Sequence, residues 1–88
     1  MNKIFYDKAW EDYLYFQKND EKILQKINDL IKDIERNGLL IGTGKPERLK
    51  GELNGLYSRR INHEHRLVYY IEDNNLFIVG CKTHYKNN

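Results

Sequence analysis

An apolar stripe along residues 20–36 constrains the fold of this chain more than any other sequence feature. Steps of four, three, one and three residues place its members on a single face of one helix. They are Ile23, Ile27, Leu30, Ile31 and Ile34. Asp20 is positioned to cap this helix, and Asn37-Gly38 to end it. A one-sided helix must bury its stripe against another layer, so the rest of the chain has to supply that layer.

The remaining sequence predicts a second helix and a sheet. Residues 3–6 form a short β-prone run, and in residues 8–17 Trp10, Tyr13 and Leu14 recur on one helical face. Three later segments are rich in β-branched and aromatic side chains and are separated by turn-forming residues, namely 53–61, 66–71 and 76–83. We therefore predict an α+β fold of order β-α-α-β-β-β, with two N-terminal helices packed on a mainly antiparallel four-stranded sheet.

Length and composition favour one domain, residues 1–88, with no membrane segment. The 88 residues are 40% hydrophobic and 32% charged, which is typical of a folded chain with a modest core. No apolar run approaches the roughly 20 residues of a membrane span, and the N-terminus carries no stretch like a secretory signal. The single cysteine, Cys81, fits a reducing compartment. We expect a cytoplasmic protein.

Charge is distributed unevenly along the chain. Residues 1–44 carry 7 Lys/Arg and 8 Asp/Glu, a formal charge of −1, whereas residues 45–88 carry 8 and 5, a charge of +3. All three histidines also fall in the second part. This asymmetry suggests a scaffold half and a working half, with an anionic partner favoured over a cationic one.

Several kinds of chemistry have no sequence support. His63-x-His65 with one distant cysteine is too little for a zinc site, so we expect neither a metal nor another cofactor. Gly42-Thr43-Gly44-Lys45 lacks the spacing of a phosphate-binding loop, and Pro46 stands where a hydroxyl is required. Cys81 lies inside a predicted strand, which favours a structural thiol over a nucleophile.

Polar side chains that the predicted sheet would bring together are the remaining candidates for a site. They are Glu47, Lys50, Arg59, Arg60, Arg66, His84 and Tyr85. Neighbouring antiparallel strands place such residues about 5 Å apart laterally. Arg59 points away from Arg60. For this residue a solvated strand arginine is favoured, and substrate binding is the alternative. For His63 and His65 a turn or surface role is favoured.

Four ordered blocks resemble the Txe/YoeB family of RelE-superfamily toxins. They are Lys45-Pro46-Glu47-x-Leu49-Lys50, Leu53-x-Gly55-x-Tyr57-Ser58-Arg59-Arg60-Ile61, Glu64-His65-Arg66-Leu67-Val68-Tyr69 and Cys81-Lys82-x-His84-Tyr85. The resemblance extends from the first predicted strand to Tyr85. The chain departs from the family pattern in the loop 37–43, in Tyr57 at a position often held by Trp, and in the tail 86–88.

The resemblance implies a ribosome-dependent mRNA endoribonuclease from a bacterial toxin–antitoxin pair. It implies that Glu47 is the general base, that His84 and Tyr85 are the C-terminal catalytic pair, and that Lys50, Arg60 and Arg66 contact phosphate. It also implies three partners: mRNA, the 70S ribosome, and a cognate YefM/Axe-like antitoxin whose flexible acidic segment covers the site. Homodimer formation and codon preference stay open.

The chemistry of RNA cleavage makes this residue set intelligible. The 2′-OH can attack the adjacent phosphorus without a metal if a base removes its proton and an acid protonates the departing 5′-oxygen. Glu47 would be the base and His84, whose imidazole titrates near neutrality, the acid. Arg66 would stabilise the charged phosphorus centre, and the expected product is a 2′,3′-cyclic phosphate. Tyr85 would either stack on a base or orient the phosphate.

Two other interpretations remain open at this point. The first is a non-cleaving RNA- or ribosome-binding protein that blocks translation by occupancy alone. The second is a protein-interaction domain whose basic face serves only its antitoxin.

Overall fold

Residues 1–82 are described by a computed structural model. Their elements follow in chain order: β1 (Asn2–Phe5), α1 (Asp7–Asn19), α2 (Glu21–Asn37), β2 (Glu47–Arg48), a 3₁₀ turn (Gly51–Leu53), β3 (Tyr57–Arg60), β4 (Arg66–Glu72) and β5 (Asn75–Gly80). None of the helices within this range has the length and apolar character needed to cross a membrane. The predicted α+β class is confirmed.

The described strands form one mixed sheet in the order β1-β5-β4-β3-β2. β1 pairs in parallel with β5, and the other neighbours are antiparallel. The prediction of four strands was one too few, because Glu47 and Arg48 pair with Ser58 and Tyr57 at the sheet edge. A two-residue strand is too short to produce a recognisable alternation of side chains in the sequence.

The apolar stripe of α2 is confirmed as the centre of the core. Ile27, Leu30 and Ile34 are completely buried, and Ile31 nearly so. They pack against Leu67 and Tyr69 of β4, Leu76 and Ile78 of β5, and Phe16 of α1. The Asp20 side chain accepts a hydrogen bond from the backbone of Ile23, as expected for a helix cap.

The buried face of α1 differs from the prediction. Tyr13 packs against the core as expected, but Trp10 and Leu14 remain 48% and 41% exposed, and the buried residues are Ala9, Asp12 and Phe16. The spacing of apolar residues could not predict that Asp12 is buried, because its partner is distant in sequence. The Asp12 carboxylate accepts the backbone N–H of Cys81 at 3.0 Å. A buried carboxylate is tolerated when it is hydrogen-bonded in this way.

Strand β3 is shorter than predicted. The expected strand over residues 53–61 begins only at Tyr57, because a 3₁₀ turn and two glycines with positive φ precede it. Gly51 has φ 65° and Gly55 has φ 97°, conformations that interrupt an extended strand. At the other end, the strand predicted over residues 76–83 finishes at Gly80, so Cys81 and Lys82 lie beyond it, and residue 83 is outside the described residues.

Candidate functional site

Alternation along β3 and β4 separates their side chains onto two faces of the sheet. Leu67 and Tyr69 point into the core beneath the helices. Residues at alternate positions therefore point the other way, onto what we call the outer face. Cross-strand partners share a face, so the register Arg60↔Arg66 and Ser58↔Val68 assigns these four residues to the outer face together.

Glu47, Arg60 and Arg66 come together on the outer face. Glu47 pairs with Ser58, which lies two residues before Arg60 on β3 and therefore shares its face. Arg60 pairs directly with Arg66. Their charges interact: burial lowers the pKa of Arg66, Arg60 lowers it further, and Glu47 opposes both. A guanidinium remains charged at neutral pH despite such a shift. One carboxylate and two cations thus share one surface.

The hairpin between β3 and β4 fixes the position of Arg66. The Asn62 side chain accepts the backbone N–H groups of Glu64 and His65, closing a tight turn. Arg66 Nη1 donates to the carbonyl oxygens of Asn62 at 2.8 Å and His65 at 3.2 Å. Only 8% of Arg66 is exposed. Within residues 1–82, this is the only guanidinium nitrogen of Arg66 that is hydrogen-bonded.

The described chain ends beside this same hairpin. β5 runs antiparallel to β4, with Gly80 opposite Val68, and therefore leads toward the Arg66 end of β4. His65 Nδ1 donates to the carbonyl of Lys82, and its ring packs edge-on against Phe16 with centroids 5.2 Å apart. The predicted site residues His84 and Tyr85 lie outside the described residues. Lys50 is exposed and follows β2 in the same edge segment as Glu47.

Arg59 has a different environment from the one expected. It is completely buried, so neither a solvated arginine nor direct substrate contact fits this position. Its five N–H groups meet five acceptors, all within the protein. These are the Tyr69 hydroxyl, the Asp33 carboxylate, and the carbonyls of Gly38, Ile41 and Thr43. Successive side chains on a strand point to opposite faces, so Arg59 points toward the helices while Arg60 points outward.

Asp33, Arg59 and Tyr69 together form what we call the loop clamp, which holds residues 38–46 between α2 and β2. Tyr69 adds a hydrogen bond from its hydroxyl to the Leu39 carbonyl at 2.7 Å. The backbone N–H of Thr43 and the guanidinium of Arg59 lower the pKa of Asp33. Burial raises the pKa of the Tyr69 hydroxyl, and Arg59 partly opposes this. The clamped loop leads directly into Glu47.

The glycine-rich character of this loop reflects the clamp. Gly42 has φ +127°, and a Cβ there would lie 1.9 Å from Asp33 Oδ2. Gly44 has φ +82°, and its carbonyl accepts the backbone N–H of Arg60 at 2.6 Å. These glycines therefore permit close packing of the loop on Arg59 and Asp33.

The Cys81 thiol and the possible metal ligands give no sign of a second reactive site among residues 1–82. Cys81 is completely buried, and burial followed by the charge of Asp12 raises its pKa to about 12, which suits the structural role expected for it. Among residues 1–82, no group of three His, Cys, Asp or Glu side chains is arranged to hold a metal ion.

Sequence reasoning missed two positioning groups. Asn62 begins an Asx-type turn, and its position two and three residues before Glu64 and His65 was an available signal. Asp33 gave no such signal, since on the helix it is one charge among many. His65, expected to have a turn or surface role, does lie in the turn, and its ring also hydrogen-bonds the carbonyl of Lys82, just beyond β5.

Comparison with known proteins identifies the family. A family model described as "YoeB-like toxin of bacterial type II toxin-antitoxin system" matches residues 5–85. The chain is 54% identical to toxin YoeB of Synechocystis sp. over 98% of this chain and 99% of that protein. It is 60% identical, with a TM-score of 0.91, to the YoeB dimer from Staphylococcus aureus, covering 97% and 98% of the two chains.

A second solved structure shows a relative with another protein. The YoeB–YefM complex from Staphylococcus aureus matches with 59% identity and a TM-score of 0.91, again over 97% and 98% of the two chains. The resemblance identified from the four sequence blocks is confirmed. This chain belongs to the YoeB-like toxin family of bacterial type II toxin–antitoxin systems.

Proposed function

We propose that this toxin is an endoribonuclease that cuts mRNA in the decoding site of the ribosome and thereby inhibits translation. The observation that carries the proposal is the meeting of Glu47, Arg60 and Arg66 on the outer face. A general base beside two guanidinium groups is the combination that internal cleavage of RNA requires. Family membership supports the same activity.

In the proposed reaction, the Glu47 carboxylate takes the proton of a 2′-OH. That oxygen attacks the adjacent phosphorus, and the bond from phosphorus to the 5′-oxygen breaks. His84 donates a proton to the departing oxygen, giving a 2′,3′-cyclic phosphate and a 5′-OH. These steps use side-chain groups alone.

The basic residues have separate roles in this proposal. Arg66 donates to the phosphate oxygens on which charge builds up, because its Nη1 is already anchored and its remaining donors need no reorganisation. Arg60 and Lys50 contact flanking phosphates. Tyr85 orients the phosphate or stacks on a neighbouring base.

The course of β5 supports the placement of His84. Gly80, which precedes His84 by four residues, lies opposite Val68, and β5 runs in the direction of Arg66. The contact of the Lys82 carbonyl with His65, the residue before Arg66, keeps the chain at this end of the sheet. In this proposal, His84 acts on the phosphate that Arg66 contacts.

The proposal includes the ribosome and an antitoxin as partners. A ribosome that presents mRNA in a reactive geometry reduces the binding that a small toxin must supply itself. A YefM-like antitoxin with an acidic C-terminal segment would cover the basic site, and a relative from Staphylococcus aureus forms a complex with YefM. Self-association is also proposed, since a related YoeB forms a dimer. We expect the toxin to act in the cytoplasm.

The test is cleavage of mRNA on programmed ribosomes, with naked mRNA as the control. We expect cuts at the decoding site carrying 2′,3′-cyclic phosphate ends, and little cutting of naked mRNA. Glu47→Gln should reduce the rate by about 10²-fold or more. Glu52→Gln, which changes another exposed carboxylate of the same edge segment, is the matched control and should cleave normally.

Two results would contradict the proposal. Inhibited translation with intact mRNA would indicate a toxin that blocks the ribosome by occupancy. Linear 5′-phosphate products would exclude internal attack by the 2′-OH.

A further inference from the structure

The outer face continues beyond the cationic residues into a cluster of three aromatic side chains, Tyr6, Tyr70 and Phe77. The Tyr70 and Phe77 rings are stacked across strands, 4.7 Å apart and inclined by 6°. Tyr6 stands edge-on to both, with its centroid 6.4 Å from each. The hydroxyls of Tyr6 and Tyr70 are 2.7 Å apart and share a hydrogen bond. We call these three residues the aromatic platform.

The platform is not part of the hydrophobic core. Register pairs Tyr70 with Phe77, one residue along each strand from the core pair Tyr69↔Ile78, so both rings point the other way, onto the outer face. None of the three contributes to the buried core cluster, and Tyr6 remains 42% exposed. Three aromatic rings held in fixed orientation at the surface form a preorganised contact area.

The platform lies on the same strand and face as Arg66. Along β4, Arg66, Val68, Tyr70 and Glu72 point to the outer side of the sheet at intervals of two residues, and Val68 is completely buried there. At a rise of about 3.3 Å per residue, Tyr70 is about 13 Å from Arg66 along the strand. The order is therefore cation, apolar side chain, aromatic ring and carboxylate. A phosphate is favoured at the Arg66 end and disfavoured at the Glu72 end, while an uncharged flat group is favoured between them.

Single-stranded RNA has this chemistry. Its phosphates bind guanidinium groups, and its unpaired bases stack on aromatic side chains presented by an open sheet. We propose that the aromatic platform stacks one or two unpaired bases of the RNA whose phosphate Arg66 holds. This inference rests on the proposed function for the phosphate at Arg66, and it adds a second contact that the acid–base chemistry does not need.

The experiment measures binding of a labelled single-stranded RNA by fluorescence anisotropy at low salt. Methylation of its 2′-hydroxyls prevents cleavage, so binding is observed alone. We expect Tyr70→Leu/Phe77→Leu, which keeps apolar bulk but removes both ring faces, to weaken binding about tenfold or more. Tyr70→Phe/Phe77→Tyr, which keeps both rings, should bind nearly as the parent chain does.

Two controls separate stacking from damage to the fold. Trp10→Leu removes an aromatic ring that is 48% exposed on helix α1 rather than on the sheet, and should leave binding unchanged. A second RNA carries abasic sites in place of bases. The parent chain and Tyr70→Leu/Phe77→Leu should bind this abasic RNA equally, because there is no base to stack. Thermal melting verifies that each variant is folded.

The inference is overturned if the parent chain does not bind the RNA, if the double leucine variant binds as tightly as the parent, or if its defect persists on abasic RNA. Loss of antitoxin or self-association in that variant, with RNA binding intact, would reassign the platform to a protein partner. Cleavage on ribosomes is measured separately. A parent chain that binds RNA through the platform but does not cleave would contradict the proposed function alone.

Discussion

Arg59 and Arg66 are both buried arginines on neighbouring strands, yet they have opposite surroundings. Arg59, on the inner face, donates all five N–H groups to the protein's own acceptors. Arg66, on the outer face, is anchored within residues 1–82 through Nη1 alone. Burial and residue type therefore do not distinguish a structural arginine from one available to a ligand. The side of the sheet and the number of satisfied donors do.

The largest expected effect comes from removing the loop clamp. Arg59→Met keeps a long apolar side chain but leaves the Asp33 carboxylate and three loop carbonyls without their donor. We expect a loss of about 3–5 kcal/mol in the free energy of unfolding, hence a melting temperature lower by about 12 °C or more. Thermal and urea denaturation measure this.

Arg36→Met, at an exposed position in the last turn of α2, is the control for that substitution and should melt within a few degrees of the parent chain. Equal stability of the Arg59 and Arg36 variants would remove the distinction between the two faces.

The Arg66→Ala variant should show the reverse pattern. Losing a preorganised donor at the phosphate lowers the cleavage rate by about 10²–10³-fold. The folded state should persist, because within residues 1–82 Arg66 hydrogen-bonds only two carbonyls of the adjacent turn. Cleavage on programmed ribosomes and melting are measured on the same preparation. A rate loss explained entirely by unfolding would contradict the assignment of Arg66 to the site.

A smaller loss of stability is expected for Gly42→Ala. The backbone there has φ +127°, and the added Cβ would clash with Asp33 Oδ2. We expect a destabilisation of about 1–3 kcal/mol, measured by urea denaturation. Gly55→Ala is the control: its φ is also positive, at +97°, but a Cβ there meets no atom within 4 Å. Both substitutions add backbone strain, so any larger loss of stability in Gly42→Ala measures the clash with the packed loop. Equal losses in the two variants would argue against a tightly packed clamp.

The smallest expected effect is a dependence of stability on acid pH. The pKa of Asp33 is below its ordinary value of 3.8 in the folded state, because Thr43 N–H and Arg59 favour the carboxylate. Its contribution is therefore complete well above pH 3.8 and is lost as the pH falls through the folded-state pKa. The difference in melting temperature between the parent chain and Asp33→Asn should shrink below about pH 4. A difference that stays constant down to pH 2 would contradict this.

The sequence predicted those parts of the fold that repeat with a regular period. The α2 stripe and its Asp20 cap follow from local spacing, and the α+β class follows from them. The buried face of α1 could not be predicted in the same way, because Asp12 is buried by a hydrogen bond to Cys81, far along the chain. Strand β2 escaped prediction because two residues carry no period.

The candidate site was predictable to a similar, partial degree. Residue type and resemblance pointed to Glu47, Arg60 and Arg66, which the register brings to one face. Arg59 was misplaced because its environment is created by a loop about twenty residues earlier in the chain. The aromatic platform was not foreseen, since Tyr6, Tyr70 and Phe77 come from three separate segments and meet only through strand pairing.

The most direct test is a structure of the toxin on a ribosome programmed with mRNA whose 2′-hydroxyls are methylated. We expect the mRNA to cross the outer face, with the Glu47 carboxylate at the blocked 2′-oxygen and the Arg66 guanidinium on the adjacent phosphate. An mRNA strand bound against the helices, or a scissile phosphate out of reach of Arg66, would contradict it.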